Sequence, residues 1–147
     1  MIRALLLAFA FVVPVGVWSA ADRTRSADEA AIRRILQVYL DGHATGKRGV
    51  LAGAFHPDAR LSWMREGAYT TRTLEEYLQG FPGKPAEDEA QWRRRIVSVD
   101  VAGTAAVAKL ELDHPARRIT DYMTLLETSD GEWRIVHKSF DIEPRTP

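Results

Sequence analysis

The sequence contains no cysteine. This absence excludes a disulfide framework, a thiolate metal site, a cysteine nucleophile and a lipid anchor on cysteine. An excess of one charge is lacking too, because 20 lysines and arginines balance 20 aspartates and glutamates. There is therefore no electrostatic reason to expect nucleic acid or an anionic membrane as a partner. Stability must come from an ordinary core, which 46% hydrophobic residues can supply.

A long hydrophobic run is present only at the N-terminus. Arg3 precedes unbroken apolar residues from Ala4 to Val13, and Ser19-Ala20-Ala21 then offers the small residues that a signal peptidase requires. The run ends well short of the roughly 20 apolar residues that cross a bilayer. We therefore expect residues 1–21 to be a signal peptide, residues 22–147 to form one domain, and the protein to be periplasmic or secreted. An uncleaved membrane anchor is the alternative.

The first part of the domain is expected to be helical. Residues 26–29 (Ser-Ala-Asp-Glu) match a capping box that begins a helix, and apolar residues then recur at steps of three and four along one face. The residues of that face are Ile32, Ile35, Leu36, Tyr39 and His43. A short helix over Val50–Phe55 follows, and a second capping box at Thr73–Glu76 opens a third helix. Residues 82–89 are rich in proline, glycine and charge, and are expected to form a mobile loop.

Beyond Ala90 the hydrophobic period changes to two, which is typical of strands. Four strands are predicted, paired as two hairpins over Ile96–Val101, Ala105–Leu112, Ile119–Glu127 and Glu132–Phe140. Helices followed by an antiparallel meander predict an α+β domain, with the helices packed on one face of the sheet.

The third of these strands carries apolar residues on both faces. Met123 and Leu125 lie on one face, and Tyr122 and Leu126 lie on the other. A strand that is apolar on both faces needs cover on both, and the helices cover only one. We therefore expect a homodimer through the opposite face of the sheet.

Four separated strings give the sequence a resemblance to a known family. They are Tyr39-Leu-Asp-Gly42, Phe55-His-Pro-Asp-Ala59, Thr120-Asp-Tyr-Met123 and Gly131-Glu-Trp-Arg-Ile135. In this order they resemble the putative lumazine-binding proteins of the nuclear transport factor 2-like superfamily, which also contains SnoaL-like polyketide cyclases and ketosteroid isomerase. The resemblance implies a cone, in which a curved antiparallel sheet wraps the N-terminal helices and leaves a pocket. Because this fold carries both enzymes and binding proteins, function must be argued from the site.

The resemblance to ketosteroid isomerase also suggests site residues. It assigns Tyr39 and Asp121 to the pair that donates hydrogen bonds to the reacting oxygen, an arrangement in which an apolar site keeps the aspartic acid protonated. If no arginine reaches Asp121, we expect burial to raise its pKa and leave it a neutral donor. The position of that enzyme's base falls on Trp63, and an indole is no base. His43, one turn after Tyr39, and His137, on the strand face of Trp133 and Ile135, are the candidate substitutes.

Each of these residues also has a purely structural interpretation. Tyr39 would then be a core aromatic with a satisfied hydroxyl, Asp121 would cap a turn or pair with an arginine, and both histidines would be hydrogen-bonded in the core or at its rim. His56-Pro57-Asp58 favours a helix-to-strand turn over a metal site. The arginines at 93–95 and 117–118 alternate between faces, which favours a solvated strand edge over an anion patch.

Three functions follow as hypotheses. The first is an exported protein that binds a small, flat, apolar or aromatic ligand through Tyr39, Trp63, Met123 and Ile135. The second is a lyase, isomerase or cyclase that uses the Tyr39 and Asp121 pair with a histidine base. The third is a dimeric interaction module whose pocket is filled by tryptophans. No cofactor, no metal, no nucleic acid and, after removal of the signal, no membrane is expected.

Overall fold

The computed structural model of the protein describes residues 20–145, with side chains from Thr24 onward. In chain order the elements are α1 (Ala20–Thr45), α2 (Arg48–Ala52), β1 (Phe55–Arg65), β2 (Ala68–Thr73), α3 (Leu74–Leu78), a 3-10 turn (Glu89–Gln91), β3 (Arg93–Ala102), β4 (Ala105–His114), β5 (Arg117–Glu127) and β6 (Trp133–Pro144). Most of the predicted signal peptide lies outside the described residues. Within residues 20–145, no helix has the length and hydropathy needed to cross a lipid bilayer.

The six strands form one mixed sheet in the order β2-β1-β6-β5-β4-β3. Neighbouring strands are antiparallel, except that β1 runs parallel to β6. The sheet curves around α1 without closing, which confirms the predicted α+β cone. The prediction of helices followed by a meander was incomplete, because the β1–β2 hairpin lies between α2 and α3. Pro57 argued against a strand at β1, because proline has no N–H to donate to a neighbouring strand. It lies, however, where the pairing of β1 with β6 is interrupted, so no hydrogen bond between the strands is lost there.

The helix boundaries agree with the prediction in part. The capping box at Thr73 is confirmed, since the Thr73 hydroxyl accepts from the Glu76 amide at 3.1 Å and the Glu76 carboxylate accepts from the Thr73 amide at 2.8 Å. The capping box at Ser26 was wrong, because α1 already begins at Ala20. Alanine and arginine are good helix formers, so the helix continues through Ser26 instead of starting there. The second helix ends at Ala52, and Phe55 already belongs to β1.

A β-bulge in β6 changes which side chains enter the core. Thr124 of β5 pairs with His137 and Leu125 pairs with Ile135, so Val136 is an extra residue without a partner on β5. One extra residue reverses the alternation beyond it. The assignment of His137 to the face of Ile135 was therefore wrong: His137 faces outward, and Lys138 takes the inward position.

The hydrophobic core lies between α1 and the inner face of the sheet. Leu36 on α1 and Leu110, Leu125 and Ile135 on the sheet are fully buried. The alternation predicted for β4 is confirmed, because every second residue from Ala106 to His114 is buried.

The outer face of the sheet, by contrast, leaves large hydrophobic side chains in solvent. Val107 is 54% exposed, Tyr122 55% and Leu126 41%. We call these three residues of β4 and β5 the outer apolar patch.

Candidate functional site

A tyrosine, an aspartate and a lysine meet at the centre of the core. The Tyr39 hydroxyl donates to Asp121 Oδ2 at 2.6 Å, and the Lys138 ammonium donates to the Tyr39 oxygen at 2.6 Å. The ammonium also lies 3.0 Å from Asp121 Oδ1 as an ion pair, without the angle of a hydrogen bond. Tyr39 and Asp121 have no exposed surface, and Lys138 is 3% exposed. The three groups therefore satisfy one another where water cannot reach.

Three separate elements deliver these side chains. Tyr39 lies on the buried stripe of α1, and Asp121 lies on the inward face of β5 between Ile119 and Met123. Lys138 comes from β6, and it points inward because of the bulge at Val136. The sequence correctly brought Tyr39 and Asp121 together, but it did not indicate the lysine.

The lysine overturns the expected role of Asp121. Burial lowers the pKa of the Lys138 ammonium, but the negative charge of Asp121 and the oxygen of Tyr77 together outweigh this effect, and the pKa lies above its usual value. Asp121 therefore faces a cation, and it accepts a hydrogen bond from Tyr39 instead of donating one to a ligand. Burial, followed by the nearby charge of Asp121, raises the pKa of Tyr39 well above its usual value, so its hydroxyl keeps its proton. That single proton is already donated to Asp121.

His43 and Tyr77 extend the cluster towards the surface. His43 Nε2 lies 2.6 Å from the Tyr77 hydroxyl, and the Lys138 ammonium lies 5.3 Å from the centre of the Tyr77 ring. Burial, together with the positive charges of Lys138 and Arg94, holds the pKa of His43 well below its usual value. The imidazole is therefore neutral at physiological pH. We call Tyr39, Tyr77, Asp121, Lys138 and His43 the Lys138 network.

A cleft of about 290 Å³ opens above His43, where α1 ends and β3 and β5 begin. We call this pocket the Trp92 cleft. Its lining includes His43, Phe81, Lys84, Trp92, Arg94 and Arg117. One wall is the segment from Gly80 to Trp92, which contains the predicted loop. It is held against α1 by a hydrogen bond of 2.9 Å from the Gly83 amide to the Gly46 carbonyl. Gly46 is required there, since its φ is +64° and a Cβ atom would lie 2.1 Å from the Lys84 carbonyl oxygen.

Two arginines converge on the indole ring of this cleft. The guanidinium carbon of Arg117 lies 5.2 Å from the Trp92 ring and that of Arg94 lies 5.4 Å from it. Both carboxylate oxygens of Glu89 bind the Arg94 guanidinium, at 2.5 and 2.8 Å. The alternation predicted for the arginines is thus confirmed: Arg93 lies on the outer face, whereas Arg94 and Arg117 lie on the inner face beside Trp92.

The remaining predicted site residues do not join this cleft. Trp63 lies elsewhere, stacked on Phe140 at 5.1 Å, with Arg72 at 5.2 Å from its ring. Met123 and Ile135 are core residues with at most 1% exposure. His137 faces outward, and its Nε2 lies 3.2 Å from the Ser62 hydroxyl.

Several functional residues were missed by sequence reasoning. The buried aspartate was a signal for a buried cation, because an unpaired carboxylate is costly in a core. Lys138 was one residue away from the expected inward position. Tyr77 and Trp92 carried no such signal, since only the tertiary fold brings α3 and the segment from Gly80 to Trp92 near His43. Within residues 24–145, no group of three or more histidine or acidic side chains is arranged to hold a metal ion.

The chain has relatives in sequence and in fold. The sequence profile of a family described as "Putative lumazine-binding" matches residues 27–141. No curated protein matches the sequence. A nuclear transport factor 2-like protein of unknown function from Shewanella baltica is 22% identical, with a TM-score of 0.73, and the match covers 82% of this chain and 97% of that chain. One from Silicibacter pomeroyi, also of unknown function, is 26% identical with a TM-score of 0.70, and the match covers 81% and 98%.

A further structure with the same fold is the association domain of CaMKII from C. elegans. It is 15% identical with a TM-score of 0.60, and the match covers 80% of this chain and 98% of that chain. These similarities confirm the fold. The chemistry of the site must be inferred from the residues of this chain.

Proposed function

The chain belongs to the putative lumazine-binding family of the nuclear transport factor 2-like superfamily, and from this premise we propose that it binds a small planar molecule in the Trp92 cleft. One observation carries the proposal. The polar residues that the resemblance assigned to a ligand, Tyr39 and Asp121, are buried and bonded to each other, whereas the Trp92 cleft is open and lined by aromatic and polar side chains.

The shape of the cleft suits a flat ligand. Trp92 and Phe81 supply aromatic surface, and aromatic rings stack favourably on one another. The volume of about 290 Å³ is just below the range of small-molecule pockets, roughly 300–1,000 Å³, so the cleft suits a small ligand. A molecule of two fused rings is the expected size.

Calorimetric titration of the purified protein with 2-naphthol, a neutral bicyclic probe, tests this proposal. We expect saturable binding to one site, and a loss of affinity of about tenfold in Trp92→Ala, which removes the main stacking surface. Trp63→Ala is the matched control, because Trp63 is also half-buried and also has an arginine at 5.2 Å from its ring. If binding survives in Trp92→Ala and disappears in Trp63→Ala, the ligand binds at Trp63 and not in the Trp92 cleft.

An isomerase or lyase is the second candidate function. His43 favours it, because this residue both lines the cleft and contacts Tyr77 of the Lys138 network. A neutral imidazole is the form that can accept a proton from a substrate. Deuterium exchange at the carbon next to the carbonyl of 1-tetralone, followed by NMR in heavy water, tests this activity. Exchange that the wild type accelerates and His43→Gln does not would support it, whereas equal rates with and without protein would exclude it for this class of ketone.

Export is proposed from the N-terminal sequence. A positive residue, an apolar run and Ser19-Ala20-Ala21 support cleavage before Asp22. N-terminal sequencing of the protein from its native host should find Asp22 at or near the start, in an extracytoplasmic fraction. Soluble cytoplasmic protein that retains Met1 would end this proposal.

A homodimer through the outer apolar patch is also proposed. Contiguous apolar surface on a sheet face is a common mark of an interface, and the C. elegans protein of the same fold is itself an association domain. Light scattering should report twice the mass of the chain at micromolar concentration. Tyr122→Glu should shift the protein towards the monomer, and Tyr69→Glu, at a 70% exposed tyrosine on β2, should not. A monomeric wild type would contradict the proposal.

A further inference from the structure

The Trp92 cleft carries more positive than negative charge. Its cations are Lys84, Arg94 and Arg117, and its acids are Asp88 and Glu89. The pocket therefore has one net positive charge, since His43 is neutral.

Each acid of the cleft lies against a basic side chain. Glu89 holds Arg94 through both carboxylate oxygens, and Asp88 Oδ2 lies 3.2 Å from Nε2 of His114, whose ring lies 4.9 Å from that of Trp92. Arg94 is thus a structural cation that helps to hold Trp92 in place. It is not available to a ligand without the loss of this pair.

The other two cations are in a different position. Within residues 24–145, neither Lys84 nor Arg117 forms an ion pair. Arg117 is exposed, and its guanidinium contacts the Trp92 ring in a cation–π interaction. A guanidinium binds a carboxylate through two parallel hydrogen bonds, which is a stronger interaction. The carboxylate of an anionic ligand would therefore form a stronger interaction with Arg117 than the Trp92 ring does.

The aromatic and cationic groups line the same cleft. The Arg117 guanidinium is at 5.2 Å from the indole ring that would stack with a ligand, and Lys84 belongs to the segment that closes the cleft beside it. We propose that the preferred ligand of the Trp92 cleft is a planar aromatic carboxylate, with its ring against Trp92 and its carboxylate at Arg117 and Lys84. This inference rests on the proposed binding function and adds the charge of the ligand to it.

The experiment compares two probes of equal shape, 2-naphthoate and its neutral counterpart 2-naphthamide, by calorimetric titration of the purified protein. We expect 2-naphthoate to bind about tenfold more tightly, because a hydrogen bond to a charged group is stronger than one between neutral groups. Arg117→Gln and Lys84→Gln should each weaken the binding of 2-naphthoate by about fivefold or more, and should leave that of 2-naphthamide within about twofold.

Arg118→Gln is the matched control. Arg118 is adjacent in β5, but it points to the outer face and pairs with Asp113 at 3.1 Å. An equal loss of 2-naphthoate affinity in Arg118→Gln would show a general charge effect and overturn the inference. Equal affinities for the two probes would overturn it as well, and would leave the binding function intact. If neither probe binds, the proposed function fails together with the inference.

Discussion

The Lys138 network and the Trp92 cleft are both polar regions, and His43 belongs to both, but they differ in how their charges are satisfied. In the network, the Lys138 ammonium and the Asp121 carboxylate lie 3.0 Å apart in a core that excludes water. In the cleft, Arg117 and Lys84 have no acidic partner among the described residues. A buried charge pair is costly to break because one charge is then left without a partner in the core, whereas an exposed charge without an acidic partner is available for binding. The comparison separates a structural centre from a candidate binding site.

Removal of the lysine should have the largest effect. Lys138→Met leaves the Asp121 carboxylate buried without a cation, so we expect a loss of about 3–5 kcal/mol in the free energy of unfolding. Urea denaturation measures this loss. The double variant Lys138→Met/Asp121→Leu should be less destabilised than the single variant, because it removes both charges. A single variant that unfolds like the wild type would show that the network is not a stabilising centre.

Removal of the tyrosine hydroxyl should have the next largest effect. Tyr39→Phe takes one hydrogen-bond partner from Asp121 and one from Lys138, both of which stay buried. We expect a destabilisation of about 1–3 kcal/mol, again by urea denaturation. Tyr69→Phe is the control at an exposed tyrosine whose hydroxyl contacts Ser62, and it should stay within about 0.5 kcal/mol of the wild type. Equal effects of the two substitutions would contradict the distinction between buried and exposed groups.

The pH dependence of stability tests the histidine that joins the two regions. The pKa of His43 is lower in the folded protein than in the unfolded chain. Below the usual histidine pKa of about 6.5 the unfolded chain binds a proton that the folded protein does not, so stability falls as the pH falls, by up to about 1.4 kcal/mol per pH unit. Above that pH the contribution of His43 is constant.

The measurement for His43 is the difference between wild type and His43→Gln, from urea denaturation at several values between about pH 7 and pH 4.5. The variant should lose less stability on acidification. His56→Gln, at a half-exposed histidine near the start of β1, is the control for the removal of one imidazole. Parallel curves for wild type and His43→Gln would show that His43 is not held neutral by its surroundings.

The smallest effect on stability is expected in the cleft. Arg117→Gln removes an exposed cation whose contact is the Trp92 ring, so the free energy of unfolding should change by about 0.5 kcal/mol or less. Arg94→Gln should cost more, because it leaves Glu89 without its partner. Thermal or urea unfolding measures the loss of stability in both variants. The comparison distinguishes a structural arginine from one that is available to a ligand. A larger cost for Arg117→Gln than for Arg94→Gln would reverse these roles.

Most of the fold was predictable from the sequence, because hydrophobic periodicity and turn residues act locally. The hairpin across Gly103, the turn at Gly131 and the capping box at Thr73 are all confirmed, and both glycines have a positive φ as their turns require. The β1–β2 hairpin escaped prediction because Pro57 and the polar residues around it obscure the period of β1.

The site was predictable only in part. The pairing of Tyr39 with Asp121 followed from the resemblance, and His43 followed from its place one turn beyond Tyr39. The inward orientation of Lys138 could not be predicted, because it depends on the bulge at Val136. The hydrophobic pattern of a strand does not reveal a bulge when the strand also carries charged residues. The Trp92 cleft depends on contacts between segments that are distant in sequence, and no local rule indicates them.

The bulge at Val136 also bears on how relatives of this chain should be aligned. Deletion of that one residue would leave Ile135 and Lys138 pointing inward, because Val136 is the residue without a partner on β5. Deletion of His137 would have the same effect, because Val136 would then take the outward position, whereas deletion of Ser139 with the bulge in place would turn the rest of β6 over. Positions 136 and 137 are therefore the place in this strand where a chain can be one residue shorter without a change in its interior. An alignment that puts the gap elsewhere would match Lys138 with an outward residue, and would wrongly suggest that the buried charge pair is absent from a relative.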